Sequence, residues 1–168
     1  IYFDDKDLSK LTPREIIALR RKIGMIFQDF KLLESKTAEE NIIFALEVAG
    51  YPSRGIEKEV QGILKLVNLE KKAHNFPRQL SAGEKQRVAL ARALIHQPEI
   101  ILADEPTGNL DPISVWEIVK LLLKINELGT AIILATHDKE VVNAINKRVI
   151  SLESGRIIRD EKEGKYLI

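Results

Sequence analysis

Apolar positions along the chain fall into two kinds of run, and each predicts a different element. Ile23 to Phe27, Ile100 to Ala103 and Ala131 to Ala135 are short, nearly unbroken apolar stretches that end at polar residues, which predicts strands buried in a sheet. Elsewhere the apolar residues recur at helical spacing. Val60, Ile63, Leu64 and Val67 follow i, i+3, i+4, i+7; Ile42, Leu46 and Ala49 line a second helix, and Val115, Ile118, Val119 and Leu122 a third. Three helix starts are written as a hydroxyl residue with glutamate three positions on: Thr12-Pro-Arg-Glu15, Thr37-Ala-Glu-Glu40 and Ser81-Ala-Gly-Glu84. Leu11 and Ile16 stand where a hydrophobic staple would close the first of them, whose helix is expected to run to about Lys22. The second helix is expected to stop at Gly50 and Pro52, and the Ser81 helix at about Ile95. Asp111-Pro112 starts a long helix that ends at Gly129, and a short one follows from Lys139 to Ile145. Ile1 to Phe3 reads as the tail of a strand. Arg148 to Leu152 and Arg156 to Arg159, flanking Glu-Ser-Gly, read as a closing hairpin.

The order of these elements predicts an α/β fold. Two buried apolar strands joined through a helix imply a mostly parallel sheet with helices on both faces. Residues 37–75 are strand-free in this reading, so they form a helical subdomain inserted into a single domain spanning 1–168.

Composition narrows the class. With 168 residues, 45% hydrophobic and 30% charged, the chain has the makeup of a folded globular protein. It holds no cysteine, which excludes a disulfide scaffold and a cysteine-ligated zinc site. Lys+Arg number 26 against 25 Asp+Glu, a net charge of +1, so there is no basic excess of the kind a nucleic-acid binder shows. No uncharged apolar run approaches the ~18 residues of a membrane helix, and Ile1-Tyr-Phe-Asp-Asp-Lys6 is no signal peptide. The chain therefore reads as cytoplasmic, or as held at a membrane by a partner.

Candidate chemistry gathers where strands end. Asp104 and Glu105 follow an apolar strand, at the carboxyl edge where parallel sheets bind ligands. An aspartate there can hold Mg²⁺ and a neighbouring glutamate can take a proton from an attacking water, although acids also suit the start of a helix. His137 follows Ala131–Ala135 and is expected on the same edge, one crossover away; His74 and His96 lie beside loop signals and receive no role. Gln28 ends the Ile23–Phe27 strand and could meet a metal's water shell or a phosphate. Ser81, Ala82, Gly83 and Glu84 place a hydroxyl, small residues and free amides at a helix N-terminus, a ready anion site. A plain capping box explains Ser81 and Glu84 but not the small residues between them. Asp111 is needed as a helix cap in any reading.

Taken in order, these segments resemble the nucleotide-binding subunit of ATP-binding-cassette (ABC) transporters, over essentially the whole chain. Gln28 matches the Q-loop, Leu80 to Glu84 the signature motif, Ile100 to Asp104 the Walker B strand, Glu105 the catalytic glutamate, Gly108 to Asp111 the D-loop and His137 the switch histidine. Leu19 to Leu33 and the ending Gly155-Arg-Ile-Ile-Arg-Asp160 are most similar to the cell-division branch of the family. Ala103 to Asp111 is shared with lipoprotein-release and macrolide-export ATPases. The resemblance implies a P-loop NTPase-type fold, ATP and Mg²⁺ as ligands, and head-to-tail homodimers closing on two ATP molecules. It also implies an integral membrane subunit as partner, at the cytoplasmic face of the plasma (inner) membrane. Ser81 and the amides near Gly83 would meet the γ-phosphate across the interface, with Ala82, Glu84 and Asp111 beside the nucleotide. Asp104 and Gln28 would support Mg²⁺, Glu105 would orient the attacking water and His137 would hold the γ-phosphate. Gln28 would also report the nucleotide state to the membrane partner.

Two departures qualify this. The family signature carries two glycines, and here the first is Ala82. No Gly-x-x-x-x-Gly-Lys-[Ser/Thr] phosphate loop is present: Gly50 and Gly55 have its spacing but are followed by Ile56 and Glu57, and Ser35-Lys36-Thr37 has no glycines before it. With Ile1 first and Met25 the only methionine, the expectation is a sequence lacking its N-terminal Walker A part, and so a 168-residue chain that is inactive by itself. DNA-repair and chromosome-structuring ATPases share the signature and Walker B. They separate their halves by a coiled coil, whereas only about fifty residues without sustained heptads lie between Gln28 and Ser81. A non-catalytic divisome scaffold would not need both Glu105 and His137.

Overall fold

All three hydroxyl–glutamate boxes close in the computed structural model, which describes residues 1–51 and 55–166. Thr12, Thr37 and Ser81 each accept the backbone N–H of the glutamate three residues on, and that glutamate accepts the cap's own N–H. They start α1 (Pro13–Arg21), α2 (Ala38–Val48) and α4 (Ala82–Leu94). Between the last two lies α3 (Glu57–Leu66). Gly50, at φ +81, ends α2 as expected; the Pro52 part of that stop, with Ser53 and Arg54 of the Gly50–Gly55 spacing, lies outside the described residues.

The chain divides into two compact units, Ile1–Leu134 and Ala135–Ile168. The first opens with a small hairpin, β1 (Tyr2–Phe3) and β2 (Lys6–Asp7), where a strand tail alone was expected. Asp4 and Asp5 make its turn with φ of 47° and 60°, the left-handed backbone that two-residue hairpins require. The main sheet has the order β3 (Ile23–Phe27), β4 (Ile100–Asp104), β5 (Ala131–Ala135), with β3 and β4 parallel. α5 (Pro112–Glu127) joins β4 to β5.

Two cores meet on α4. Val88, Ala91 and Ile95 pack with Ile42, Leu46, Val60, Leu64 and Val67 of α2, α3 and their ends. Leu90 and Ala93 pack with Ile26, Ile101, Ala103, Ile118, Leu122 and Ile125 of the sheet and α5. A helix buried on two sides needs small residues, and α4 supplies Ala89, Ala91 and Ala93. Residues 37–75 are helical and strand-free where described.

The strand at Ala131–Ala135 forms, but it is not buried on both faces. Ile132 and Leu134, partly buried, pack against the core shared by the sheet, α4 and α5, whereas Ile133 is 58% exposed and Met25, across the sheet on β3, is 39% exposed. Strand alternation sends successive side chains to opposite faces, and an all-apolar run does not say which face a helix will cover.

In the second unit, α6 (Lys139–Ile145) precedes the antiparallel pair β6 (Val149–Glu153) and β7 (Arg156–Glu161), the expected hairpin. Arg148 clamps it with two hydrogen bonds to Asp160, at 2.8 and 2.6 Å.

Candidate functional site

Parallel pairing of β3 and β4 aligns Phe27 with Asp104, so the residues that follow, Gln28 and Glu105, leave the same edge of the sheet side by side. Asp104 is exposed and Glu105 half-buried. Glu105 has φ +45, a left-handed backbone that a non-glycine residue adopts only when its surroundings hold it. Its carbonyl accepts the N–H of Gly108 at 3.1 Å, closing a turn over the buried Pro106 and Thr107.

That turn folds back onto Gln28. The Asn109 amide donates to the Gln28 backbone carbonyl at 3.3 Å, and a methyl group added at Gly108 would stand 2.8 Å from Gln28 Nε2. Glycine at 108 is what lets the Gln28 carboxamide lie against the turn. Asp111 then caps α5, accepting from the Ile113 and Ser114 N–H groups at 3.1 and 3.0 Å and from the Ser114 hydroxyl at 2.6 Å. The Ser114 hydroxyl, with these amides, holds the Asp111 carboxyl below its usual range.

Ser81 to Glu84 join the group at its far end. The exposed Ser81 Oγ accepts from Glu84 N–H at 3.2 Å, which leaves its own O–H to donate outward. Burial works to raise the Glu84 carboxyl, but the Ser81 N–H at 2.8 Å and Lys72 at 3.6 Å hold it low, so Glu84 stays an ionised cap. The small residue that capping left unexplained has a packing reason. A methyl group on Gly83 would fall 2.5 Å from Ser114 Oγ and 2.9 Å from its Cβ, so α4 meets α5 only if residue 83 has no side chain. Gly83→Ala should therefore lower stability by about 1–3 kcal/mol despite alanine's better helix propensity. A thermal melt at or above the wild-type midpoint would contradict that contact.

His137 belongs to the second unit, where it is exposed between Thr136 and the α6 cap, Asp138. The structure thus brings together Gln28, Asp104, Glu105, Gly108 and Asn109, and links Ser81–Glu84 to Asp111 through Ser114. His74 pairs with Glu39 at 3.3 Å.

Three residues that support the site carried no signal in the pattern. Asn41, fully buried, accepts from Leu33 N–H at 2.8 Å and donates to the carbonyls of Leu33, Lys36 and Thr37, which anchors the loop after Gln28. Arg92 donates to the carbonyls of Lys31 and Phe30 at 2.5 and 2.9 Å, and both of those residues have left-handed backbones. Gln86, fully buried, donates to the Pro106 carbonyl at 2.7 Å.

Among the described residues no cluster of three His, Cys, Asp or Glu could cage a metal. Asp104 and Gln28 each carry a side-chain oxygen of the kind Mg²⁺ takes, a cation that uses one or two protein ligands and fills the rest with phosphate and water.

The chain is similar to known proteins in sequence and in fold. The ABC transporter family profile matches residues 1–108. The cell division ATP-binding protein FtsE of Bacillus subtilis is 52% identical over 166 residues, 99% of this chain and 73% of that protein. The FtsE of Streptococcus pneumoniae is 49% identical over 95% of this chain and 70% of its own. A dimeric ATP-binding cassette solved in a post-hydrolysis state with ADP and Pi superposes with a TM-score of 0.84 at 38% identity, over 98% of this chain and 73% of that one. The chain belongs to the ABC transporter family. Its sequence is that of the family's ATPase domain.

Proposed function

We propose that this chain is the ATP-binding and ATP-hydrolysing part of an FtsE-type complex, acting in cell division with an FtsX-like integral membrane subunit. The observation that carries the hydrolytic reading is the Phe27–Asp104 register, with Gln28 and Glu105 on one sheet edge and Asn109 bonded to Gln28. The 52% identity to a protein named FtsE supports the cell-division branch. Residues 1–168 then form one ABC domain with 37–75 as its helical subdomain. No helix among the described residues is long and apolar enough to cross a membrane. In this reading the membrane subunit holds the chain at the cytoplasmic face of the plasma membrane.

In this mechanism Glu105 accepts hydrogen bonds from the attacking water and takes its proton, a role that needs a carboxylate set firmly beside Gln28. Asp104 and Gln28 would hold Mg²⁺, which would supply charge neutralisation at the phosphates. Ser81 and the first-turn amides of Ala82 and Gly83 hold the γ-phosphate of the partner protomer in a homodimer that closes on ATP, with Glu84 as the brace of that helix start. Asp111 orders the Gly108–Asp111 segment at the dimer face. His137, from the second unit, holds the γ-phosphate. Gln28 passes the nucleotide state to the membrane subunit through the loop that Asn41 and Arg92 clamp.

Phosphate holding needs backbone amides and a lysine that the sequence does not contain as a phosphate loop. The purified 168-residue chain should therefore show no ATP turnover, and a chain preceded by a phosphate-loop strand and helix should hydrolyse ATP and dimerise on it. Turnover by the 168 residues alone would overturn the phosphate-loop argument. Isolated from membranes, the active protein should carry an FtsX-like subunit. Recovery with a lipoprotein-release or macrolide-export permease would replace the cell-division assignment, and ATP binding without turnover would make the protein a scaffold.

A further inference from the structure

Glu105 sits on a left-handed backbone, and something must hold it there. Its carbonyl is tied to Gly108, but the turn itself rests on the interior through Pro106. Proline has no N–H, so its carbonyl is the one backbone group with which residue 106 can be gripped. Gln86 grips it, donating from Nε2 at 2.7 Å in a bond shielded from water. Gln86 belongs to α4, the helix packed against both cores, which makes it a firm post.

A core-packing role does not account for glutamine at this position. The Gln86 Oε1 atom is buried with no hydrogen-bond partner among the described residues. A buried carboxamide that satisfies only its donor side lowers stability relative to an apolar chain of the same shape, so packing alone favours methionine or leucine. The donor, by contrast, meets the turn that carries Glu105.

We propose that Gln86 is a positioning residue for hydrolysis: through the Pro106 carbonyl it fixes the backbone of Glu105, and so the direction of the Glu105 carboxylate toward the attacking water. This rests on the hydrolytic role given to Glu105 above. Gln86 is fully buried and bonds the Pro106 carbonyl, so in this proposal its effect passes through Glu105.

The test uses the ATP-hydrolysing protein with its phosphate loop and compares four forms: wild type, Gln86→Met, Glu105→Gln and the double variant. Methionine keeps the length and volume of glutamine and removes the donor. Gln86→Met should lower kcat about 10- to 100-fold, as small misplacements of a catalytic group do, while KM for ATP and ATP-driven dimerisation stay within about twofold. In the Glu105→Gln background the same change should have no further effect, because two changes acting through one group do not add. Equal losses of kcat in both backgrounds, a rise in KM alone, or no loss at all would overturn the proposal. If Met at 86 gives no folded protein by circular dichroism, Gln86→Asn, too short to reach Pro106, carries the same four-way comparison. A wild type that does not hydrolyse ATP would instead refute the function proposed above, which keeps the two failures apart.

Discussion

Glu105→Gln, in the protein carrying a phosphate loop, should slow ATP hydrolysis at least ~100-fold and leave ATP-driven dimerisation in place. Glutamine matches glutamate in size and still accepts a hydrogen bond, so the left-handed turn from Glu105 to Gly108 keeps its shape. What the substitution removes, in the role proposed for Glu105, is the ability to take a proton from water as it attacks. The groups assigned to holding phosphate and Mg²⁺, namely Ser81, the Ala82 and Gly83 amides, Asp104 and Gln28, are untouched, so the closed dimer should accumulate. Phosphate release and size-exclusion chromatography with ATP measure the two halves of the prediction. Unchanged turnover would remove Glu105 from its role, and loss of dimerisation together with turnover would recast it as a binding residue.

The second large effect is on the framework. Gly24→Ala should destabilise the protein by about 2–3 kcal/mol, near the upper range for overpacking a tight core. A methyl group at Gly24 would stand 2.5 Å from the Ala93 carbonyl oxygen and 3.2 Å from Ile101 Cγ1. The first of these is backbone and cannot rotate aside, so β3 and α4 would have to part. Ordinarily glycine to alanine gains about 0.4–1 kcal/mol by restricting the unfolded chain, which the clash outweighs. At roughly 2–4 °C per kcal/mol for a chain of this size, the midpoint should fall by about 4–12 °C. The consequence for function is direct, because α4 carries Ser81, Gln86 and Arg92 on the face of the sheet that Gly24 opens to it. A wild-type melting curve would show that β3 and α4 do not approach this closely.

Local signals made the helices legible. A capping box joins residues three apart, so Thr12 with Glu15, Thr37 with Glu40 and Ser81 with Glu84 could be read before any tertiary contact was known. Asp111 as a cap and Gly50 as a stop belong with them. The strand-end positions of Gln28, Asp104 and Glu105 were legible because an apolar strand runs into each polar stretch. The β1–β2 hairpin escaped notice because its turn is Asp4-Asp5, and aspartate tolerates left-handed backbone without announcing it as glycine does.

The residues that were not legible are polar side chains whose partners lie far off in sequence. Arg92 reaches back to Phe30 and Lys31, and Gln86 forward to Pro106; no periodicity marks either one. Asn41 is only eight residues from Leu33, yet it looks like any polar position on a helix until the loop folds over it.

Apart from the β1–β2 hairpin, the sequence by itself determined which segments become the main helices and strands and which side chains stand at the strand ends, since these depend on neighbours a few bonds away. The tertiary structure decided what holds those side chains in place. It half-buried Ile132 and Leu134 but left Ile133 at the surface, set Gly83 against Ser114 and Gly24 against Ala93, and tied the Glu105 turn to Gln86. Burial, close approach and long-range hydrogen bonds arise only when separate elements meet, and α4 is where they meet in this chain.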